Sequence, residues 1–253
     1  MIVGIIPARF ASTRLMGKPL ADIGGKPMIQ HTYESSKTSK LLHEVIIATD
    51  DARVAEVSRN FGAKVFLTPK DIATGSDRIA YVAKQLPSAE IIVNIQGDEP
   101  FIQGIMIDQA VEPLLFDLSV NVSTLAKKIE TVDELKSPSV TKVVFDYNNF
   151  ALYFSRSPIP FVRDARTMYD RVAKADIYKH IGLYVYRRDS LLKFTSLEPT
   201  DLEQIEKLEQ LRMLENGFKI KVVVTPYENL AVDTPEDLKR ARLYYSRMQK
   251  ERE

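Results

Sequence analysis

The chain has 253 residues, enough to bury one sizeable hydrophobic core, or a core with a smaller lobe. Its 35 Lys and Arg residues nearly balance 34 Asp and Glu residues, so no overall charge would recruit nucleic acid or an anionic membrane. Cysteine is absent, which excludes disulfide bonds, thiolate metal sites and cysteine nucleophiles.

The first ten residues, MIVGIIPARF, lack the basic segment and the long apolar segment of a signal peptide. No apolar run elsewhere approaches the length of a membrane span. We therefore expect a soluble cytoplasmic protein that binds neither membrane nor nucleic acid.

The first half of the chain alternates short apolar segments with amphipathic ones. This pattern predicts a mostly parallel sheet covered by helices on both sides. Ligands bind at the carboxyl ends of the strands in such sheets, so the polar loops that follow them are expected to converge on one site. The predicted strands are 2–6, 44–50, 64–67 and 90–100, the last ending in an acidic turn, and the predicted helices are 27–42, 52–62, 75–86 and 104–116.

The pattern changes after residue 118, where strands follow one another with fewer helices between them. It predicts the far edge of the sheet and an inserted, partly antiparallel lobe. The least regular stretch, 157–179, is predicted to be a long loop. Strands are predicted at 120–129, 141–146, 151–156, 180–188 and 219–225, and helices at 201–216 and 235–250.

Three cations, Arg9, Arg14 and Lys18, lie in the loop that follows the first predicted strand. Backbone N–H groups around Gly17 can surround phosphate oxygens while the cations neutralise them. The loop has no Walker A pattern. The sequence thus favours a phosphate site, and a solvated turn is the alternative.

Two aspartates are placed where a magnesium ion could be held. Asp98 ends the predicted strand within NIQGDEP, and an ordinary acidic turn is the alternative explanation. Asp233 precedes a predicted helix start in which Thr234 is the N-cap and Pro235 the first helical residue. Magnesium needs few carboxylates because water or phosphate fills its other positions.

Several further polar residues have both a structural and a functional explanation. In the predicted helix 201–216, Glu209 and Arg212 project within the apolar face, so they either pair with each other or serve a site. His180 and Tyr184 fall on one face of a predicted strand. The segment TGSDR (74–78) can bind an anion or a base edge, or simply cap a helix.

Taken together, these segments resemble the 3-deoxy-manno-octulosonate cytidylyltransferases, also called CMP-Kdo synthetases. The resemblance covers nearly the whole chain, and the ordered set of motifs is more specific than any one of them. The motifs are IIPARFASTRLMGKPL, GGKPMI, ATDD, TGSDR, VNIQGDEP, ALYFSRSPIPFVRD, KHIGLYVYRR, LEQLRMLENG and VDTPEDL.

The resemblance implies transfer of CMP from CTP to the anomeric hydroxyl of Kdo, with Mg²⁺, for lipopolysaccharide biosynthesis. It implies a Rossmann-like α/β fold of the nucleotide-diphospho-sugar transferase type, with a mixed, mostly parallel sheet flanked by helices. It also implies one domain over 1–253, a sugar-binding and dimerisation lobe at roughly 147–190, and a homodimer.

The resemblance also assigns roles to residues. Asp98 and Asp233 would bind the metal, and with Arg9 and Lys18 they would form the catalytic set. CTP would be bound by Arg9, Arg14, Lys18, Thr74, Gly75, Ser76, Arg78 and Asp98. The sugar acid would be bound by Gln96, Arg156, His180, Tyr184, Glu209 and Gln210, with Arg156 suited to its carboxylate.

The sequence departs from the family pattern at two positions. Met16 replaces the usual Pro after RL, and Asp77 replaces the usual Glu of GTER. An 8-amino Kdo analogue, a sialic acid or a sugar phosphate are therefore alternative substrates. A nucleotide-binding regulatory module without catalysis is the alternative from a different class.

Overall fold

The computed structural model describes residues 1–11 and 15–250. The chain divides into two compact units. The first comprises Met1–Asp108 and Asn229–Glu253, and the second comprises Gln109–Glu228. The predicted lobe at roughly 147–190 falls within the second unit, and its role as an inserted lobe of a single domain stays a prediction.

Short strands alternate with helices along the first unit, as the sequence predicted. Its elements up to the second unit are β1 (Ile2–Ala8), a 3-10 helix (Lys18–Leu20), β2 (Asp22–Ile23), β3 (Lys26–Pro27), α1 (Met28–Ser36), β4 (Glu44–Thr49), α2 (Ala52–Asn60), β5 (Lys64–Leu67), α3 (Gly75–Lys84), β6 (Ile91–Asn94) and α4 (Gly104–Phe116). The division between the units falls within α4.

The second unit mixes parallel and antiparallel strands. Its elements are β7 (Val122–Lys128), α5 (Val132–Lys136), β8 (Lys142–Phe145), β9 (Ala151–Ser155), α6 (Met168–Lys174), β10 (Tyr178–Arg187), α7 (Arg188–Thr195), α8 (Asp201–Glu206), α9 (Gln210–Glu215) and β11 (Ile220–Val224). The terminal helix α10 (Pro235–Lys250) belongs to the first unit.

Four parallel strands form the sheet of the first unit, in the order β6-β1-β4-β5. Ile5 pairs with Ile46 on one side and with Asn94 on the other. Strands β1, β4 and β6 are rich in fully buried β-branched residues, as expected for strands covered on both faces, whereas the edge strand β5 has no buried side chain. The segments that follow β1, β4 and β6 therefore emerge at the same edge.

Helix α10 packs against the rest of the first unit through a small apolar cluster. The buried cluster contains Ile23, Met28, Val232, Leu238 and Ala241. This packing fixes the start of the helix, and with it the segment that carries Asp233.

In the second unit, β10 pairs antiparallel with both β7 and β8, and β11 pairs parallel with β7. The ladder between β10 and β7 is interrupted between Ile181 and Tyr184, where a β-bulge shifts the register. Bulges re-aim side chains, and this one lies between His180 and Tyr184.

The predicted fold class, an α/β protein with a mostly parallel sheet flanked by helices, is confirmed. The strand predicted to end in the acidic turn of segment 90–100 spans Ile91–Asn94, and the turn follows it as predicted. Several local predictions are wrong. The predicted helix 27–42 ends at Ser36. Helix α6 lies within the predicted loop 157–179, because Thr167 and Asp170 form a capping box at its start.

The predicted helix 201–216 is two short helices, α8 and α9. The break occurs at Lys207, whose left-handed φ of 53° ends α8. None of the described helices is long and apolar enough to cross a membrane.

Candidate active site

Lys18 joins the two aspartates that the sequence predicted as metal ligands. Its Nζ donates to Asp98 Oδ2 at 2.7 Å and to Asp233 Oδ1 at 2.9 Å. Burial lowers the pKa of Lys18, but hydrogen bonds and charges from Asp98 and Asp233 outweigh it, so the net shift is upward. The three residues form a cluster, called here the Lys18 cluster, with a net charge of −1.

Close backbone packing places Asp98 in this cluster. A Cβ at Gly97 would lie 2.8 Å from the carbonyl oxygen of Pro7, so only glycine allows the chain after β6 to approach the end of β1 so closely. Thr32 Oγ1 also donates to the carbonyl of Gly97 at 3.3 Å. The position of Asp98 is therefore determined by the core of the sheet.

Helix capping places Asp233. Thr234 Oγ1 accepts from the N–H of Asp237, and the Asp237 carboxylate accepts from the N–H of Thr234, as the sequence predicted. The N–H of Val232 donates to the carbonyl of Asp98 at 2.9 Å. Asp233 is thus held beside Asp98 by the backbone on one side and the cap on the other.

Glu99 adds a buried carboxyl group next to this cluster, which the sequence analysis did not single out. Only 6% of the residue is exposed. Burial raises the pKa of Glu99 to about 8, the charges of Asp98 and Asp233 add to the increase, and a hydrogen bond with Asn229 opposes it. The only signal for it in the sequence is its place in the GDEP motif.

Arg9 and Arg78 lie at the same edge of the sheet. Arg9 Nη2 donates to the carbonyl of Ile72 at 2.5 Å. Arg78 is fully buried, donates to Thr68 Oγ1, and reaches Asp50 Oδ2 at 2.8 Å. Burial lowers the pKa of Arg78, and the charge of nearby Arg9 adds to this effect.

The buried position of Arg78 makes it a support for the loops after β4 and β5. Its Nε has no hydrogen-bond partner among the described residues, whereas its other nitrogens bind Thr68 and Asp50. Asp50 and Thr68 were not predicted from the sequence as partners of Arg78, although Asp50 lies in the family motif ATDD.

The predicted CTP-binding residues Thr74, Gly75 and Ser76 lie at the start of α3. Thr74 is the N-cap of α3, accepts from the N–H of Asp77 at 3.1 Å and donates to its carboxylate. Gly75 begins the helix, and Ser76 is buried in its first turn. The capping alternative is therefore confirmed for Thr74. Arg14 lies outside the described residues.

In the second unit, His180 and Tyr184 are neighbours. Their ring centroids are 5.2 Å apart, and the His180 ring also meets Phe154 edge to face at 5.1 Å. Burial lowers the pKa of His180 to about 3. Burial also raises the pKa of Tyr184 well above its usual value, so both side chains are neutral near pH 7.

Arg156 is bound by backbone carbonyls at the junction of α8 and α9. Its Nε donates to Glu206 O at 2.7 Å, Nη2 donates to Lys207 O at 3.3 Å, and Nη1 donates to Pro138 O at 2.9 Å. Carbonyl oxygens at the end of a helix attract cations, which explains this arrangement. Arg156 therefore also holds the junction in place.

Glu209 precedes the first residue of α9, Gln210, which is buried. The charge of Glu209 raises the pKa values of Tyr184 and Tyr186, in addition to the effect of their burial. Glu209 and Gln210 are therefore near the aromatic side chains of β10, and the structure brings the predicted set His180, Tyr184 and Glu209 together.

Arg212 makes a bidentate ion pair with Glu203. Nε donates to Oε2 at 2.7 Å, and Nη2 donates to Oε1 at 2.5 Å. Glu203 was not predicted as a partner, because the sequence suggested one continuous helix in which Glu209 either pairs with Arg212 or serves a site. The break at Lys207 turns α9 relative to α8 and brings Glu203 within reach.

Gln96 and the residues predicted to bind CTP and metal belong to the first unit, and the other residues predicted to bind the sugar acid belong to the second. Met16 is 81% exposed, and nothing in the structure explains its presence in place of proline.

Comparison with known proteins identifies the family. A family profile described as Cytidylyltransferase matches residues 3–220. The 3-deoxy-manno-octulosonate cytidylyltransferase of Geobacter sulfurreducens is 53% identical over 243 residues, covering 94% of this chain and 97% of the relative. The chain belongs to the 3-deoxy-manno-octulosonate cytidylyltransferase family.

Solved structures agree with this membership. A structure of CMP:2-keto-3-deoxy-manno-octonic acid synthetase in complex with CTP is 40% identical, with a TM-score of 0.91 and coverage of 98% of this chain and 99% of that one. The 4-diphosphocytidyl-2C-methyl-D-erythritol synthase of Anaerococcus prevotii is 16% identical, with a TM-score of 0.62 over 97% of this chain and 98% of that one. The latter likeness shows the fold alone.

Proposed function

We propose that this enzyme transfers CMP from CTP to the anomeric hydroxyl of Kdo and releases pyrophosphate, in lipopolysaccharide biosynthesis. One observation carries the proposal. In a chain 53% identical to a 3-deoxy-manno-octulosonate cytidylyltransferase, Lys18, Asp98 and Asp233 converge at the carboxyl edge of a parallel sheet. This edge is where nucleotides bind in folds of this class.

The reaction is attack by a sugar hydroxyl oxygen on the α-phosphorus of CTP, with pyrophosphate as the leaving group. The new P–O bond joins CMP to the sugar, the bond between the α-phosphorus and its bridging oxygen breaks, and the hydroxyl proton is lost. Such a displacement depends on alignment and charge neutralisation more than on a protein nucleophile. Arg9 and Lys18 would supply cations for the triphosphate.

Mg²⁺ is part of the proposal, with Asp98 and Asp233 as its ligands. The residues fit such an ion, because two hard carboxylate ligands already direct oxygens at one cation, the Lys18 ammonium. When bound, Mg²⁺ would neutralise phosphate charge and lower the pKa of the attacking hydroxyl. The described residues contain no cluster of three or more His, Asp or Glu side chains suited to a metal. Substrate oxygens and water would therefore complete its shell.

The residues proposed to bind the sugar acid are Gln96, Arg156, His180, Tyr184, Glu209 and Gln210. A neutral His180, Tyr184, Glu209 and Gln210 offer hydrogen-bonding groups suited to hydroxyls. Arg156 donates one N–H to each of three backbone carbonyls. Its remaining N–H groups would hold the carboxylate of the sugar acid.

Cytidine recognition is assigned to the start of α3. Thr74, Gly75 and Ser76 present the first turn of the helix, where backbone N–H groups are available to a ligand. Arg78 would support this site indirectly, because it is fully buried and donates hydrogen bonds to Asp50 and Thr68. A homodimer and a cytoplasmic location stay predictions, and light scattering of the purified protein tests the first.

The test is a substrate panel monitored by pyrophosphate release. CTP and UTP are each combined with Kdo, an 8-amino Kdo analogue and a sialic acid, with Mg²⁺ present. We expect the highest kcat/KM with CTP and Kdo. Release with another pair and none with CTP and Kdo would overturn the proposal, and no release with any pair would favour a regulatory module.

A further inference from the structure

Thr124 lies next to His180, on the neighbouring strand β7. It is not among the residues proposed to bind substrate. It is fully buried in β7 and pairs in register with Tyr184 across the β-bulge. Its hydroxyl oxygen lies within hydrogen-bond distance of three groups of β10, and it also interacts with Tyr184, where it opposes the larger effect of burial on the pKa. Oγ1 lies 2.9 Å from His180 Nε2, 2.8 Å from the carbonyl oxygen of Leu183, and 3.3 Å from that of Ile181.

The direction in which the Thr124 hydroxyl donates its proton determines which nitrogen of His180 carries a hydrogen. The carbonyl oxygens of Leu183 and Ile181 can only accept, so the single Thr124 proton is directed at them, with Leu183 the nearer. The remaining contact, to His180, must then have Oγ1 as acceptor. Nε2 of His180 therefore carries a hydrogen and donates it to Thr124.

This assignment leaves Nδ1 of His180 as an acceptor. A neutral imidazole carries one hydrogen, so a ring with Nε2–H has a lone pair on Nδ1. Burial holds the pKa of His180 at about 3, which keeps the ring neutral under working conditions. No described residue donates to Nδ1, whereas the two rings beside it, Phe154 and Tyr184, restrict its rotation.

We propose that Thr124 is a positioning residue that fixes His180 as the Nε2–H tautomer, so that Nδ1 accepts a hydrogen bond from a hydroxyl group of the sugar acid. The β-bulge supports this role, because it brings the Leu183 and Ile181 carbonyls to the same hydroxyl. The part that concerns the sugar rests on the proposed function. The part that concerns the tautomer does not.

The tautomer is measured directly by ¹H–¹⁵N correlation of the imidazole nitrogens. The chain has only three histidines, His31, His43 and His180, so the signals of His180 can be assigned with a His180→Gln variant. We expect wild type and Thr124→Ser to show a protonated Nε2 and an unprotonated Nδ1. Thr124→Val removes the acceptor, so we expect the two tautomers to mix or invert.

Steady-state kinetics test the consequence for the sugar. We expect Thr124→Val to raise the KM for Kdo by about three- to tenfold, the effect of one misplaced neutral hydrogen bond, and Thr124→Ser to restore it. The KM for CTP should stay at the wild-type value. Thr195→Val is the matched control, because it removes a hydroxyl that donates only to helix carbonyls in α7.

Each outcome supports or contradicts a stated part of the proposal. A wild-type His180 protonated on Nδ1 overturns it, even if neither variant folds. An unchanged tautomer and an unchanged KM in Thr124→Val overturn the positioning role. If the wild type shows no turnover of Kdo, the proposed function fails, while the tautomer assignment is still decided by the spectra.

Discussion

The Lys18 ammonium lies 2.7 Å from the carboxylate of Asp98, although the two residues are 80 positions apart in the chain. The contact joins the loop after β1, which is proposed to bind phosphate, to the proposed metal ligand after β6. Because the same ammonium also binds Asp233, it holds two like charges together that would otherwise repel each other.

Replacing Lys18 tests its role toward the triphosphate. In Lys18→Met we expect kcat/KM for CTP to fall by about 100-fold or more, the usual cost of losing one well-placed charge donor. Lys26→Met is the control, because Lys26 forms an exposed ion pair with Glu34 and should keep activity within about twofold. Equal effects of the two substitutions on pyrophosphate release would contradict the assignment.

Removing the metal or its ligands tests the proposed Mg²⁺ site. Chelation by EDTA should abolish pyrophosphate release, and added Mg²⁺ should restore it. Asp98→Asn and Asp233→Asn should each lower kcat by about 100-fold or more, because charge stabilisation at the phosphates is lost. Asp189→Asn, at a 95% exposed side chain, is the control. Full activity of Asp98→Asn at all Mg²⁺ concentrations would show that the metal lies elsewhere.

The Arg212–Glu203 pair is predicted to support the α8–α9 junction. Arg212→Met leaves the Glu203 carboxylate buried without its partner, so we expect a loss of about 3 to 5 kcal/mol in the free energy of unfolding. Lys64→Met breaks the more exposed pair with Glu44 and should cost less than about 1 kcal/mol. Urea denaturation measures both, and a loss in Arg212→Met no larger than in the control would show that the pair is dispensable.

Part of this architecture was predictable from the sequence, and the reasons differ between regions. Short apolar segments predict β1 and β4 because both strands are buried on both faces. β5 is an edge strand without a buried side chain, and its alternation with helices is what indicates it. Residues Thr234 to Asp237 were predicted correctly because a helix cap is a local interaction between close neighbours. Asp98 and Asp233 were identified from their places at element ends and from the family resemblance.

Other features depend on contacts that no local pattern reveals. The left-handed Lys207 splits one predicted helix into two, and this decides that Arg212 meets Glu203. The roles of Thr124 and Glu99 depend on which groups the fold buries beside them. From the sequence alone, Thr124 cannot be distinguished from an ordinary core residue, because the fold determines its hydrogen-bond partners on β10.

Acid stability tests the environment of His180. Its pKa in the folded protein, about 3, is below the unfolded value of about 6.5, so the unfolded state binds more protons between these values. The stability contribution of the neutral ring is complete above about pH 6.5 and is lost as the pH falls towards 3, by up to about 1.4 kcal/mol per pH unit.

The matching variant is His180→Gln, which cannot titrate in this range. The free energy of unfolding of the wild type should decrease more steeply than that of His180→Gln between about pH 6.5 and pH 4. Denaturant titrations at several pH values give the two slopes. Parallel slopes would show that His180 is protonated as easily in the folded protein as in the unfolded chain.

Transfer of CMP to Kdo can be observed directly by ³¹P NMR of a reaction of CTP with Kdo and Mg²⁺. We expect CTP to be consumed with equal formation of pyrophosphate and of a single phosphodiester signal from CMP-linked Kdo. Consumption of CTP without that phosphodiester, or no consumption while another sugar acid reacts, would contradict it.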